Sequence, residues 1–128
     1  MNLLLDSCTL IWLRTSRDRI PDAVLAAVAD GANRVLVSAA TAWELAIKRS
    51  LGRLAPSFEP EEVFPRMLAE SGLDALPVTL EHALKVSRLP LHHRDPFDRL
   101  LVTQCQVEGL TMVTPDPLFA PYAIPVLW

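Results

Sequence analysis

Five carboxylates in this 128-residue chain stand where the sequence leaves an apolar run or enters a helix: Asp6, Glu44, Asp95, Asp98 and Asp116. Asp6 follows Leu3-Leu4-Leu5 at once. Glu44 falls on the first turns of a helix that comes after Val35-Leu36-Val37. Asp95 and Asp98 open a helix in Asp95-Pro96-Phe97-Asp98, and Asp116 follows Leu110-Thr111-Met112-Val113-Thr114 across one proline. Oxygen ligands gathered at one rim suit a hard divalent cation such as Mg²⁺, which keeps several waters and accepts substrate phosphate oxygens in the rest of its shell. Without a cation the same charges repel one another. Sites of this composition cleave phosphodiesters by activating water and stabilising the leaving oxygen.

Each acid also has a local explanation. Asp6 can cap a following helix. Glu44, three residues after Thr41, completes a Thr-Ala-Trp-Glu capping box. Asp95 before Pro96 is a helix cap, Asp98 suits the positive end of a helix dipole, and Asp116 before Pro117 is an ordinary turn residue. What these separate reasons do not explain is why three connections deliver acids to one end of one sheet. Other chemistries fail sooner. His92 and His93 are adjacent, point apart on any regular element, and read as surface loop residues. The Cys and His spacings match no zinc pattern, and there is no GxGxxG or GxxxxGK[ST] phosphate cradle. Ser7, Ser38 and Thr114 lack a base partner, although their hydroxyls can bond the carboxylates. Trp12, Trp43 and Trp128 read as core or interface residues.

The elements that must carry these acids alternate between short apolar strands and helices. Strands are expected at 3–5, 34–37, 75–78 and 110–114, with a last edge strand at 124–127. Helices are expected from Thr9 to Arg14, from Pro21 to Asp30, after Ser38 or Thr41 to Ser50, from Glu61 to Ser71, from Thr79 to before Pro90, and from Asp95-Pro96 to Glu108. Pro77 places its strand near an edge. Such alternation predicts an α/β fold with a mainly parallel sheet, because parallel neighbours need crossover connections. Sites in these sheets form beyond the carboxyl ends of the strands, where the acids fall.

Bulk properties agree with this reading. The length fits one domain spanning 1–128, and a hydrophobic fraction of 51% suits strands buried on both faces. No apolar stretch is long enough for a membrane span, and the start lacks a basic signal region, so a cytoplasmic protein is expected. Cys8 and Cys105 read as reduced core thiols. The net charge of −3 opposes a nucleic-acid partner at first sight. Setting the five site acids aside leaves ten acids against 12 bases, about +2, and ten of those bases are arginine. Arg14, Lys48, Arg49, Arg94 and Arg99 are candidates to hold phosphates of a nucleic-acid partner.

Several segments together resemble one family. Leu4-Leu5-Asp6-Ser7, the run from Val37 to Lys48, Leu89-Pro90-Leu91-His92-His93-Arg94-Asp95-Pro96-Phe97-Asp98-Arg99-Leu100-Leu101, and Leu110 to Asp116 resemble PIN-domain proteins. They look most like the toxin half of VapBC toxin–antitoxin pairs, over nearly the whole chain and in order. The resemblance implies a three-layer α/β/α sandwich, Mg²⁺- or Mn²⁺-dependent RNA cleavage, and the metal ligands Asp6, Glu44, Asp98 and Asp116. It also implies a homodimer silenced by a small antitoxin laid across the site. Ser7 stands where threonine is usual, and Asp116 sits in a tight Thr-Pro-Asp-Pro turn. The rival readings are a catalytically idle PIN scaffold and a receiver-like signalling domain. The second is opposed by Thr79 where an acceptor aspartate belongs, and by the lack of any lysine after Lys85.

Overall fold

Leu3, Leu4 and Leu5 have no polar face to show, and all three are fully buried in the middle of the sheet. The computed structural model describes residues 1–128, and in it β1 (Asn2–Leu5) pairs in parallel with β2 (Arg34–Ser38) and β4 (Thr111–Val113). β3 (Asp74–Leu76) and β5 (Val126–Leu127) form the edges, so five parallel strands run in the order β3-β2-β1-β4-β5. The expected sheet is thus entirely parallel.

Alternation of side chains across the strands sorts the core into two clusters. Leu3, Leu5, Val35, Val37 and Val113 meet one set of helices: α1 (Ser7–Thr15), α2 (Asp22–Ala29), α3 (Ala39–Ser50) and α4 (Pro60–Glu70). Leu4, Leu36 and Met112 meet Leu101, Val102 and Cys105 of α6 (Pro96–Glu108) on the other face, with Phe119 and Tyr122 beside them. The short α5 (Leu80–Lys85) packs on α6, held by a capping box in which Thr79 and His82 bond each other's backbone. His82 also reaches Glu108 Oε1 at 2.8 Å, tying α5 to the far end of α6. Helices on both faces of one parallel sheet make the three-layer sandwich expected from the sequence.

Most boundaries follow local signals. Pro96 begins α6 behind its Asp95 cap, and Gly109, at φ 67°, ends it in the left-handed conformation that glycine takes freely. The β3 boundary differs, running over 74–76 instead of 75–78. Asp74 enters the ladder opposite Leu36 and pairs with Arg34 at 2.7 Å, whereas Pro77 has no N–H to donate and the strand stops before it. Both thiols are free: Cys105 is buried and Cys8 half-buried. No helix is long and apolar enough to cross a membrane.

From β1 the chain builds outward to β2 and β3, then returns past β1 to β4 and β5. The order therefore reverses between β1 and β4. In an open parallel sheet that switch point leaves a crevice at the carboxyl ends of the two strands. Asp6 and Asp116 are the acids that follow those strands.

Candidate active site

Asp6 is both a helix cap and a rim residue, which resolves the two sequence readings into one. Its Oδ1 accepts from the Thr9 N–H at 2.7 Å, and its Oδ2 accepts from the Thr114 hydroxyl at 2.5 Å. The same Thr114 oxygen accepts from the Asp116 N–H at 3.0 Å, so one hydroxyl links the ends of β1 and β4. Asp116 caps the 3₁₀ segment Pro117–Tyr122 through its Oδ1, which takes the Leu118 N–H at 2.9 Å. Its Oδ2 makes no bond in that cap.

Glu44 is not the capping-box residue its local sequence suggests. Ser38 caps α3, accepting from the Ala40 N–H, so the helix starts before Thr41 and Glu44 lies in the second turn. There it is 6% exposed, with Lys48 Nζ 3.7 Å from its Oε2. Asp95 and Asp98 divide as the sequence suggests. Asp95 Oδ1 accepts from the N–H groups of Phe97 and Asp98, whereas the Asp98 side chain turns into the cluster and is 17% exposed.

Arg99 and His93 also depart from expectation. Arg99 is occupied within the chain: its guanidinium donates to the carbonyls of Val86, Leu89, Pro90 and His93 and to the Tyr122 hydroxyl. It straps down the segment that leads into α6. Arg99→Lys keeps the charge and loses the fork, and at about 1 kcal/mol per net hydrogen bond it is expected to cost roughly 2 kcal/mol. Thermal melting checks the cost, and hydrogen exchange should show residues 86–93 loosened first. A variant melting like the parent would make the strap unimportant. Of the other basic candidates, Arg49 is paired with Glu59 at 2.8 Å and Lys48 faces Glu44, leaving Arg14 and Arg94 exposed and unpaired.

His93 is the residue that sequence reasoning missed. It does lie in a loop, but its side chain is only 12% exposed, with Nε2 3.0 Å from Asp98 Oδ2 and 3.4 Å from Asp116 Oδ2. Candidate ligand atoms of His93, Asp98 and Asp116 all fall within 4.8 Å of one another. The signal available in the sequence was only proximity to Asp95-Pro96-Phe97-Asp98, because the contacts that fold the loop inward come from Tyr122 and Arg99.

The electrostatics make this cluster costly as it stands. Burial, first, and then the charges of Asp95, Glu44, Asp6 and Asp116 push the Asp98 carboxyl up to about 8. Burial likewise lifts Asp6 above the usual carboxylate range, against the hydrogen bonds from Thr114 and Thr9. Burial also lifts Glu44, against Lys48 and the Ser7 hydroxyl. Lys48 is the only lysine or arginine within 4.0 Å of any of these acids. A buried set of oxygen donors that disfavour their own ionisation, with one ammonium, at Glu44, for compensation, fits a divalent cation in composition and in charge. Asp6, Glu44, Asp98 and Asp116 are the residues that could hold it.

An all-parallel α/β sandwich with acids at its switch point places a ligand-binding crevice, lined by carboxylates, at the carboxyl ends of β1 and β4. Residues 3–124 match the PIN domain, and the chain belongs to that family, whose members are generally nucleases. Solved structures share the fold at low identity. VapBC2 from Rickettsia felis, bound to a DNA fragment from its promoter, superposes with a TM-score of 0.73 at 14% identity, covering 99% of this chain and 98% of that one. VapBC from Salmonella typhimurium, bound to DNA, gives 0.68 at 18%, covering 99% and 97%. FitAcB from Neisseria gonorrhoeae gives 0.64 at 21%, covering 98% and 96%. No curated protein matches the sequence.

Proposed function

We propose that this chain is a Mg²⁺- or Mn²⁺-dependent endoribonuclease, the toxin of a toxin–antitoxin pair. The observation that carries the reading is the convergence of Asp6, Glu44, Asp98 and Asp116 beyond β1 and β4, with Asp98 pushed up to about 8 by burial and by the charges of Asp95, Glu44, Asp6 and Asp116. A bound divalent cation supplies water activation and stabilisation of the leaving 3′ oxygen. The chain's part is to hold and orient. Thr9 and Thr114 fix both oxygens of Asp6, α3 presents Glu44, and the Asp95 cap sets the first turn of α6 so that Asp98 faces the crevice. Exposed Arg94, next to the Asp95 cap, is left to meet RNA phosphates, whereas Arg14, in the last turn of α1, lies at the end remote from Asp6.

The partner reading is a small antitoxin laid across the site and a second copy of the chain. VapBC and FitAcB structures of the same fold favour the antitoxin. Trp43 is 61% exposed, packs edge-on against Phe97 at 5.2 Å, and lines an apolar groove with Ala83, Val86, Pro96 and Leu100, while Leu80, Leu84 and Leu91 are exposed elsewhere on the surface. Exposed apolar side chains in such number mark a surface that binds another protein.

The test is RNA cleavage by the purified chain with Mg²⁺ or Mn²⁺, together with growth on expression without an antitoxin. Cleavage should vanish in EDTA, and Asp6→Asn should abolish both cleavage and growth arrest while the protein stays folded. Cleavage that survives excess EDTA, or an Asp6→Asn variant as toxic as the parent at equal abundance, would defeat the proposal. Cleavage of DNA in place of RNA would correct the substrate and leave the metal chemistry standing.

A further inference from the structure

We propose that His93 is a positioning residue of this site, whose Nε2–H stands against Asp98 and Asp116 and holds their carboxylates for a divalent cation. The inference rests on the metal-dependent reading above. Three observations carry it.

The first is the tautomer. His93 Nδ1 accepts from the Asp95 N–H at 3.1 Å, so its lone pair is engaged and the ring proton belongs on Nε2. The nitrogen that faces Asp98 Oδ2 at 3.0 Å and Asp116 Oδ2 at 3.4 Å is therefore a donor, and has no lone pair for a cation. Although His93, Asp98 and Asp116 look like a ligand trio by distance, the ring serves the two carboxylates and not the metal. Asp116 Oδ1 already takes the Leu118 N–H, so Oδ2 is the oxygen left for the histidine to steady.

The second is the cost of putting the ring there. The His93 N–H donates to the Tyr122 hydroxyl at 2.7 Å, and its carbonyl accepts from Arg99 at 3.4 Å. The Phe119 ring meets the imidazole edge-on at 5.9 Å. Contacts from the 117–122 segment and from α6 fix the backbone of this loop residue, and Phe119 packs on its ring.

The third is that Nε2 is buried without a completed hydrogen bond, since neither carboxylate oxygen lies in line for one. A buried donor left open is costly, so it calls for a reason at a site. Catalytic hydrogen bonds are often loose in the free protein and tighten when the site is loaded. Donors that hold ligating carboxylates are worth about 10–100-fold in metal affinity.

The experiment is a calorimetric Mn²⁺ titration of the full chain and of His93→Ala, His93→Asn and His93→Gln. Asparagine puts an acceptor near Nδ1 and leaves the ε position bare, whereas glutamine puts an amide N–H near Nε2. The Mn²⁺ Kd should rise about tenfold or more in His93→Ala and His93→Asn, with His93→Gln staying within about threefold of the parent. If His93→Ala does not fold, the Asn and Gln pair decides alone. Parent-like binding by all the variants, or an Asn variant binding at least as well as Gln, overturns the proposal and leaves His93 a loop anchor. A parent chain that binds no Mn²⁺ overturns the metal reading itself, and with it this role.

Discussion

Stripped of divalent cations with EDTA, the chain is expected to melt at progressively lower temperature as pH rises from about 4 to about 8, and excess Mg²⁺ or Mn²⁺ should offset a substantial part of that fall. Asp98 ionises near 3.8 when exposed, and burial and its acid neighbours push it up to about 8 in the folded chain. Between those values the unfolded state has released the proton and the folded state still binds it. Stability then falls with rising pH, is unaffected below about 4, and levels off above about 8. The raised Asp6 and Glu44 act with the same sign. At about 1.4 kcal/mol per pKa unit the loss amounts to a few kcal/mol. That is on the order of 10 °C for a domain this size. A cation binds the ionised cluster and recovers about 2.7 kcal/mol at a hundred times its Kd. Asp98→Asn, which has nothing to ionise, should flatten most of the dependence in EDTA. Differential scanning calorimetry across the pH range makes the check. A flat or rising melting temperature in EDTA would mean that the acids are not crowded as described.

What the sequence made legible, it did through local physics. Leu3-Leu4-Leu5 had to be a strand buried on both faces, because no side of it could meet water. Pro96 after an aspartate and Gly109 after a helical run marked both ends of α6 without help from the rest of the chain. Glu44 was harder. Thr41-Ala42-Trp43-Glu44 is a plausible start of a helix, but Ser38 captures the Ala40 N–H and starts the helix earlier. The acid then moves into the second turn and is buried. What stayed hidden depended on residues distant in sequence. His93 sits between two acids because Tyr122, 29 residues on, takes its backbone N–H. Arg99 looked free to bind phosphate because the carbonyls it gathers have no side-chain signature. Loop geometry of that kind has no period to read, so histidine spacing alone pointed away from the site.

Asp95 and Asp98 provide the sharpest functional contrast, since they lie one helical turn apart and differ only in where their oxygens go. Asp95 Oδ1 is spent on the N–H groups of Phe97 and Asp98, the free donors at the start of α6. Asparagine caps about as well as aspartate, so Asp95→Asn should cost only a few tenths of a kcal/mol and keep most activity. It also removes a charge that raises Asp98 and Glu44, a second reason to expect no loss of stability. Asp98 makes no cap bond with its side chain. Its carboxylate stands against His93 and near Asp116, repelled by the acids around it and steadied by no lysine or arginine. Asp98→Asn therefore relieves repulsion in the metal-free chain while removing charge that a cation needs. Cleavage should fall by roughly a hundredfold or more, the scale on which one electrostatic group at a reacting centre counts. Its melting temperature in EDTA should not fall. Mn²⁺ titration and an RNA-cleavage assay on the two variants decide the matter. A dead Asp95→Asn beside an active Asp98→Asn would reverse the assignment of cap and ligand.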